Sequence, residues 1–259
     1  MKKILLTLSM AIAGCITAQN VSAQSLDNIL GGLFGGSGKK SSGNTTSGQN
    51  SGITSGSLSN SDIASGLKEA LKIGAQNASN QLSATDGFFK NAAIKILMPQ
   101  EARQVEQTLR SVGLGSVADK AILAMNRAAE DAAKQAAPIF INAITSMSIQ
   151  DGVNILKGGN NAATNYLKGK TTAALTAAFK PVIQQSLAKV NATEIWNTVF
   201  STYNQIPFTQ NKVNPDLTGY VTERALSGIF TTIAGEELKI RTDPAAQVTS
   251  LLKKVFGQK

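Results

Sequence analysis

Beyond residue 60 the apolar positions recur at intervals of three and four residues, which is the period of an amphipathic α-helix. The first such stripe runs from Ile63 to Leu82, with Ser61 as its expected N-cap. Further stripes predict helices over about 99–112, 116–146, 148–157, 161–190, 192–205 and 217–241, and a last one from about 244. We find no convincing run of the period-two alternation that is typical of strands. The pattern predicts an all-α domain, a single bundle of about seven to nine helices over residues 61–259.

Prolines and glycines interrupt the pattern. Pro99 and Gly113 bracket the second helix, an asymmetry that is typical of helix ends. Pro138 predicts a kink in the alanine-rich helix 116–146, and Pro181 a kink or break in the helix 161–190. Residues 85–98 lose the helical period and predict a loop with a short extended piece.

The first 60 residues have a different character. Gly, Ser, Asn and Thr dominate residues 31–60, a composition too poor in apolar side chains to offset its ordering entropy. Residues 24–60 are therefore expected to be a disordered linker. The basic Met1-Lys2-Lys3 and the apolar run 4–16, which is too short to span a bilayer, predict a signal peptide over residues 1–23.

Two processing sites compete at the end of that signal. Val21-Ser22-Ala23 fits ordinary cleavage before Gln24. Alternatively, the residues up to Cys15 are similar to the lipobox of bacterial lipoproteins, in which that cysteine becomes the lipidated first residue. The protein is thus expected to be exported to the periplasm or, in the alternative, to be anchored by lipid to the cell envelope.

Composition removes several classes of chemistry. The 259 residues include no histidine and one cysteine, which leaves no histidine-activated nucleophile and no Cys/His zinc site. The net charge of +9 is the one feature that could indicate nucleic acid, but the basic residues are scattered and an exported protein rarely meets nucleic acid. We expect no cofactor and no nucleic-acid partner.

Residues 158–171 (GGNNAATNYLKGKT) end like a phosphate-binding loop. Such a loop requires a glycine five positions before its Gly-Lys-Thr, after a buried strand. Thr164 occupies that position, and the preceding segment 148–157 is helical in pattern. The motif is therefore better interpreted as a junction between two helices than as a nucleotide site.

The residues around this junction support that interpretation. Ser148 and Asp151 have the spacing of a capping box, and Asn160 or Asn161 is placed to cap the next helix. Free N–H groups at that helix start could instead hold an anion, which remains the alternative.

The helix 217–241 carries the strongest candidate site. Its apolar face includes Ile233 and Ile240, and at 100° per residue Glu236 falls inside that face, with Glu237 at its border. A buried carboxylate needs a partner or a proton. Glu236 is therefore a structural ion-pair member, with Arg127, Arg224 or Arg241 as possible partners, or a general acid.

As a general acid, Glu236 would act with a second carboxylate, such as Glu237, Glu130 or Asp131, in glycoside cleavage. The stretch 127–134 that contains the last two has charges at spacings typical of a solvated face. No Asp/Asn/Gly loop supports a metal site.

Four segments together are similar to a known bacterial family. They are AMNRAAE at 124–130, GGNNAATNYL at 158–167, ALSGIFTTIAGEELKIRTDP at 225–244 and LLKKVF at 251–256. In this order they resemble the domain of unknown function 4197, over about residues 62–256. Leu97 stands where the family pattern has proline. The resemblance implies a helical domain exported in bacteria, with no known activity and no catalytic residues.

Three functions remain open from the sequence. The first is a non-catalytic envelope module that binds a protein or a lipid. The second is a carboxylate-dependent hydrolase of envelope glycans, and the third is a carrier of an apolar ligand held among the alanine-rich helices.

Overall fold

The computed structural model describes residues 59–205 and 212–243, together with Gln247 and Lys253. Within these ranges the chain forms eight α-helices and one short 3-10 turn, Gln100–Ala102, and has no strand, which confirms the all-α prediction. The helices are α1 Asn60–Ser83, α2 Arg103–Ser111, α3 Gly115–Ala133, α4 Ala136–Thr145, α5 Ile149–Lys157, α6 Ala162–Ala188, α7 Ala192–Asn204 and α8 Leu217–Thr242. The predicted signal peptide, the linker up to residue 58 and most of the last helix lie outside the described residues.

The two helices α6 and α8 form the centre of the bundle and pack against each other along their length. The apolar stripe of α6 recurs every four residues through Leu175, Phe179 and Ile183, all fully buried. On α8 the predicted face from Val221 to Ile240 is buried as expected. Helix α3 covers α6, and α1 packs on α8, α4 and α5, so that the core is continuous.

The start of α1 differs from the prediction. The N-cap is Ser59 rather than Ser61: its hydroxyl accepts a hydrogen bond from the Asp62 backbone N–H, and the Asp62 side chain accepts from the Ser59 N–H. This reciprocal capping box satisfies two of the free donors of the first turn. At α5 the predicted capping box of Ser148 and Asp151 is confirmed.

The prolines act differently from each other. The predicted helix 116–146 is two helices, broken at residues 134–135 rather than kinked at Pro138. Pro138 lies in the first turn of α4, where a missing N–H costs nothing. Pro181 by contrast lies inside an uninterrupted α6. The Pro181 ring is exposed. Because proline has no backbone N–H, the Ala177 carbonyl has no intrahelical donor, but Ala177 is also exposed and its carbonyl can bind water.

Candidate functional site

The carboxylate of Glu237 caps the start of helix α6. Its two oxygens accept hydrogen bonds from the Ala163 N–H at 3.0 Å, the Thr164 N–H at 2.8 Å and the Thr164 hydroxyl at 2.8 Å. The Arg241 guanidinium lies 2.8 Å away and also donates to the Ile155 carbonyl. The side chains of Glu237 and Arg241 are only 4% and 7% exposed, so this is a fully desolvated ion pair at a helix N-terminus.

The bonds between Glu237 and the start of α6 explain the role of the junction 158–161. The N-terminus of a helix attracts negative charge because its first N–H groups have no intrahelical partner. At this helix, Asn161 occupies the N-cap position but makes no side-chain capping bond. The Glu237 carboxylate of the same chain supplies the negative charge instead. Gly169 and Lys170 lie exposed within α6, and the Thr171 hydroxyl donates to the Leu167 carbonyl. The segment is therefore a helix junction and not a phosphate-binding loop.

Glu236 occupies a different environment from its neighbour. Its side chain is 12% exposed and accepts a hydrogen bond from Lys239 at 2.6 Å, with Asn77 of α1 at 3.5 Å. Glu237, which the helical wheel put at the border, is thus the more buried of the two candidate carboxylates. Its partner Arg241 is one of the three arginines that the sequence suggests for Glu236.

A second buried network fixes the loop between α1 and the 3-10 turn. Glu130, 4% exposed, accepts from the Phe88 and Phe89 N–H groups, both at 3.1 Å, and from Arg127 at 2.6 Å. Asn126, fully buried, accepts from the Ile96 N–H and donates to the Ile96 carbonyl. The stretch 127–134 was expected to be a solvated face, but Glu130 is turned inward to hold the loop.

The same network orders Asp86 at the loop's start. Hydrogen bonds from Lys90 and then Arg127 lower the pKa of this carboxyl. Arg127 therefore joins two acids, Asp86 at 2.7 Å and Glu130 at 2.6 Å, across the loop. These bonds explain the positions of Asp86, Arg127 and Glu130 as parts of the network that holds the loop.

An open apolar groove of about 700 Å³ lies between α2, α3, α7 and the C-terminal part of α6. Its floor contains Trp196, Phe200 and Met125, all buried. Its walls carry large aliphatic side chains that remain well exposed to solvent: Val117, Leu123, Val190, Ile195 and Val199. Half of the large apolar side chains that are exposed in the described part of the chain thus lie in this one groove.

The lining of the groove also contains five charged residues: Glu106, Lys120, Arg127, Asp131 and Lys189. Asp131 accepts from Ser186 of α6 and from Lys134, both at 2.9 Å; burial opposes its ionisation, but these hydrogen bonds lower its pKa. Lys120 and Lys189 also line the groove, and neither is within 4 Å of a carboxylate of the described residues. Glu130, Glu236 and Glu237 are absent from the lining.

The sequence did not reveal the groove. Its residues come from four helices, and each helix alone reads as an ordinary amphipathic element. The structure first shows the groove in α2, whose apolar residues Val105 and Leu109 are not fully buried. Apolar side chains that a helix leaves partly exposed indicate a face without a packing partner.

Within residues 59–205 and 212–243, no helix is long and apolar enough to cross a membrane, and no three metal-ligating side chains gather at one point. Fold and groove together define an all-α bundle domain with an open apolar groove. The chain belongs to the family described as Protein of unknown function (DUF4197), whose model matches residues 57–257. This confirms the resemblance found in the sequence. No curated protein and no solved structure matches the chain.

Proposed function

We propose that this protein is an exported, non-catalytic binding module whose groove takes the acyl chain of an anionic amphiphile. The observation that carries the proposal is the groove itself, an apolar cleft of about 700 Å³ with its aliphatic walls left exposed. Exposed apolar surface gathered in one concave place is characteristic of a ligand or partner site.

The size of the groove suits a single chain. A methylene group takes up roughly the volume of one water molecule, about 30 Å³, so a chain of about 16 carbons needs about 480 Å³. Burial of the 14 methylenes of a C16 fatty acid at ~0.8 kcal/mol each contributes about 11 kcal/mol. After an association cost of about 4–5 kcal/mol, about 6–7 kcal/mol remains, which is a Kd on the order of 10 μM. Lys120 and Lys189, which line the groove, would receive the negatively charged head.

The test compares two leucines of similar exposure. Leu123 lies in the groove and is 36% exposed, whereas Leu238 lies on α8 outside its lining and is 43% exposed. Binding of a fluorescent C16 fatty acid is measured for the wild type, Leu123→Asp and Leu238→Asp. We expect Leu123→Asp to weaken binding by about tenfold or more, because it puts a charge into the apolar wall. Equal affinity in all three proteins would contradict the proposal.

A second occupant is favoured by the surroundings of the groove. Val112 and Leu114, on the turn between α2 and α3, are also highly exposed and extend the apolar surface beyond it. A longer surface of this kind suits an amphipathic helix of an envelope protein. An amphipathic peptide that displaces the fatty acid from the wild type, and does not bind Leu123→Asp, would favour this occupant.

The hydrolase hypothesis gains no support from the carboxylates. Glu130 and Glu237 each accept several hydrogen bonds from backbone N–H groups and an arginine, and neither lines the groove. Asp131 does line it; burial opposes its ionisation, but hydrogen bonds from Lys134 and Ser186 lower the pKa of this carboxyl and so disfavour a proton there. A general acid must instead reach its substrate and hold a proton.

We further propose that the chain is exported and processed after Ala23, with lipidation of Cys15 as the alternative. The basic start, the apolar run and the small residues before Gln24 support the first route. The intact mass of the mature protein decides between them: a chain that begins at Gln24 in the soluble fraction supports the first, and a diacyl or triacyl mass on Cys15 supports the second.

A further inference from the structure

A second cleft, of about 300 Å³, lies where the loop 91–99 crosses helix α8. It shares only Met98 with the apolar groove. Its lining is positively charged rather than apolar, because it contains the three cations Lys95, Arg103 and Arg224. None of the three is within 4 Å of a carboxylate among the described residues.

The loop that forms one wall is held firmly in place. Both backbone groups of Ile96 are bound by the Asn126 side chain at 2.8–2.9 Å, and the Leu97 carbonyl accepts the Tyr220 hydroxyl at 2.8 Å. Gly228 on α8 allows the close approach of this loop and of the turn before it: a Cβ there would lie 3.4 Å from Ile94 and 2.6 Å from the Phe88 ring. The cleft is therefore preformed.

The opposite wall is one face of α8. Tyr220, Arg224, Ser227 and Thr231 recur at helical spacing and all line the cleft. The Arg224 guanidinium lies 5.4 Å from the centre of the Tyr220 ring, a cation–π distance that fixes its position. Burial raises the pKa of Tyr220, so its hydroxyl stays protonated and continues to donate to the loop. Glu101 and Glu223 act on Tyr220 as well, but neither lines the cleft.

We propose that this cleft binds a phosphate group, either of a small free molecule or of a lipid head. Two arginine side chains offer planar forks that match such a group, and Lys95 and the Ser227 hydroxyl complete the set of donors. The Thr231 hydroxyl is not counted, because it already donates to the Ser227 carbonyl at 2.9 Å. The volume equals that of roughly ten water molecules, which fits a small molecule or the head of a larger one. Lys95 lies over the Phe89 ring at 4.1 Å and Arg224 over the Tyr220 ring, but no carboxylate of the described residues neutralises any of the three cations. A bound anion would supply the missing negative charge.

The experiment uses inorganic phosphate and the mature chain at low ionic strength, where screening is weak. The backbone amide NMR signals of Gln100, Ser227 and Thr231 report on the cleft. We expect saturable shifts with a Kd on the order of 1 mM, as for a five-atom ligand bound at moderate efficiency. The double variant Arg103→Gln/Arg224→Gln should weaken binding by about tenfold or more.

A matched control removes the same charge elsewhere. Lys168 and Lys180 are exposed on α6 outside the cleft, so Lys168→Gln/Lys180→Gln should change the Kd by less than about twofold. Shifts that do not saturate, or equal weakening in both double variants, would show mere attraction to net charge and overturn the proposal.

Vesicles distinguish the two sources of the anion. If phosphatidylglycerol vesicles bind the wild type through the same two arginines, and phosphatidylcholine vesicles do not, the ligand is a lipid headgroup. If free phosphate binds and neither vesicle does, the ligand is a free small molecule. Failure of phosphate and of both vesicles would refute the site, while leaving the apolar groove and its acyl chain untouched.

Discussion

Replacing Glu237 by Gln is predicted to be one of the most costly single changes in this domain. The substitution keeps the shape of the side chain but turns one acceptor into a donor, opposite donors of Ala163, Thr164 and Arg241. It also leaves the Arg241 guanidinium without its buried anion. Breaking a desolvated ion pair by removing one partner typically costs about 3–5 kcal/mol.

The expected loss follows from these contacts. Gln retains one acceptor, so we place the change in the free energy of unfolding near the lower end, at about 3 kcal/mol. For a domain of about 200 residues this corresponds to a fall in Tm of roughly 6–12 °C. The measurement is urea unfolding followed by circular dichroism at 222 nm, with the slope checked for two-state behaviour.

The adjacent residue supplies the control. Glu236→Gln is the same chemical change one position earlier on α8, where the partner Lys239 is mostly exposed. An i,i+3 pair of this kind is worth about 0.5 kcal/mol or less. If Glu236→Gln proves as destabilising as Glu237→Gln, or if Glu237→Gln costs less than about 1 kcal/mol, the account of the α6 cap is wrong.

Three further changes test other parts of the structure. Asn126→Ala removes three hydrogen bonds at a buried site, so it should destabilise the domain by about 2–4 kcal/mol. It should also increase amide hydrogen exchange at residues 94–98, and unchanged exchange there would contradict the role of Asn126. Gly228→Ala should cost about 1–3 kcal/mol in thermal unfolding because of the Phe88 ring, whereas Gly235→Ala, with open space around it, should be neutral or stabilising; the reverse order would refute the close approach. Hydrogen bonds from Lys90 and Arg127 lower the pKa of Asp86 in the folded state, so its stabilising effect is present above the unfolded value of about 4 and is lost as the pH falls through the folded value. Urea unfolding as a function of pH should therefore show a smaller acid-induced loss in Asp86→Asn than in the wild type.

The helical framework could be read from the sequence because each helix has a local signal. The stripe of α8 from Val221 to Ile240 and the capping box at Ser148 depend only on residues one to four positions apart. The break between α3 and α4 has no such signal. Alanine-rich residues on both sides favour helix equally, and only the packing of the bundle separates them.

The position of the buried carboxylate could not be read in the same way. Glu236 and Glu237 lie three and four residues after Ile233, and both spacings fall on one helix face. The difference comes from α6, whose N-terminus meets Glu237 more than 70 residues away in sequence. Likewise, the groove depends on how four helices pack, and the cleft depends on a loop held by Asn126.

The most direct test of the central claim uses Trp196, the single tryptophan of the chain, which lines the apolar groove. A brominated C16 fatty acid quenches tryptophan fluorescence only on close contact, so a chain in the groove should quench Trp196 in a saturable manner, with a Kd on the order of 10 μM. The quenching should be retained in Leu238→Asp and largely lost in Leu123→Asp. Fluorescence that stays unchanged at saturating fatty acid, or falls equally in both variants, would contradict the assignment of the groove as an acyl-chain site.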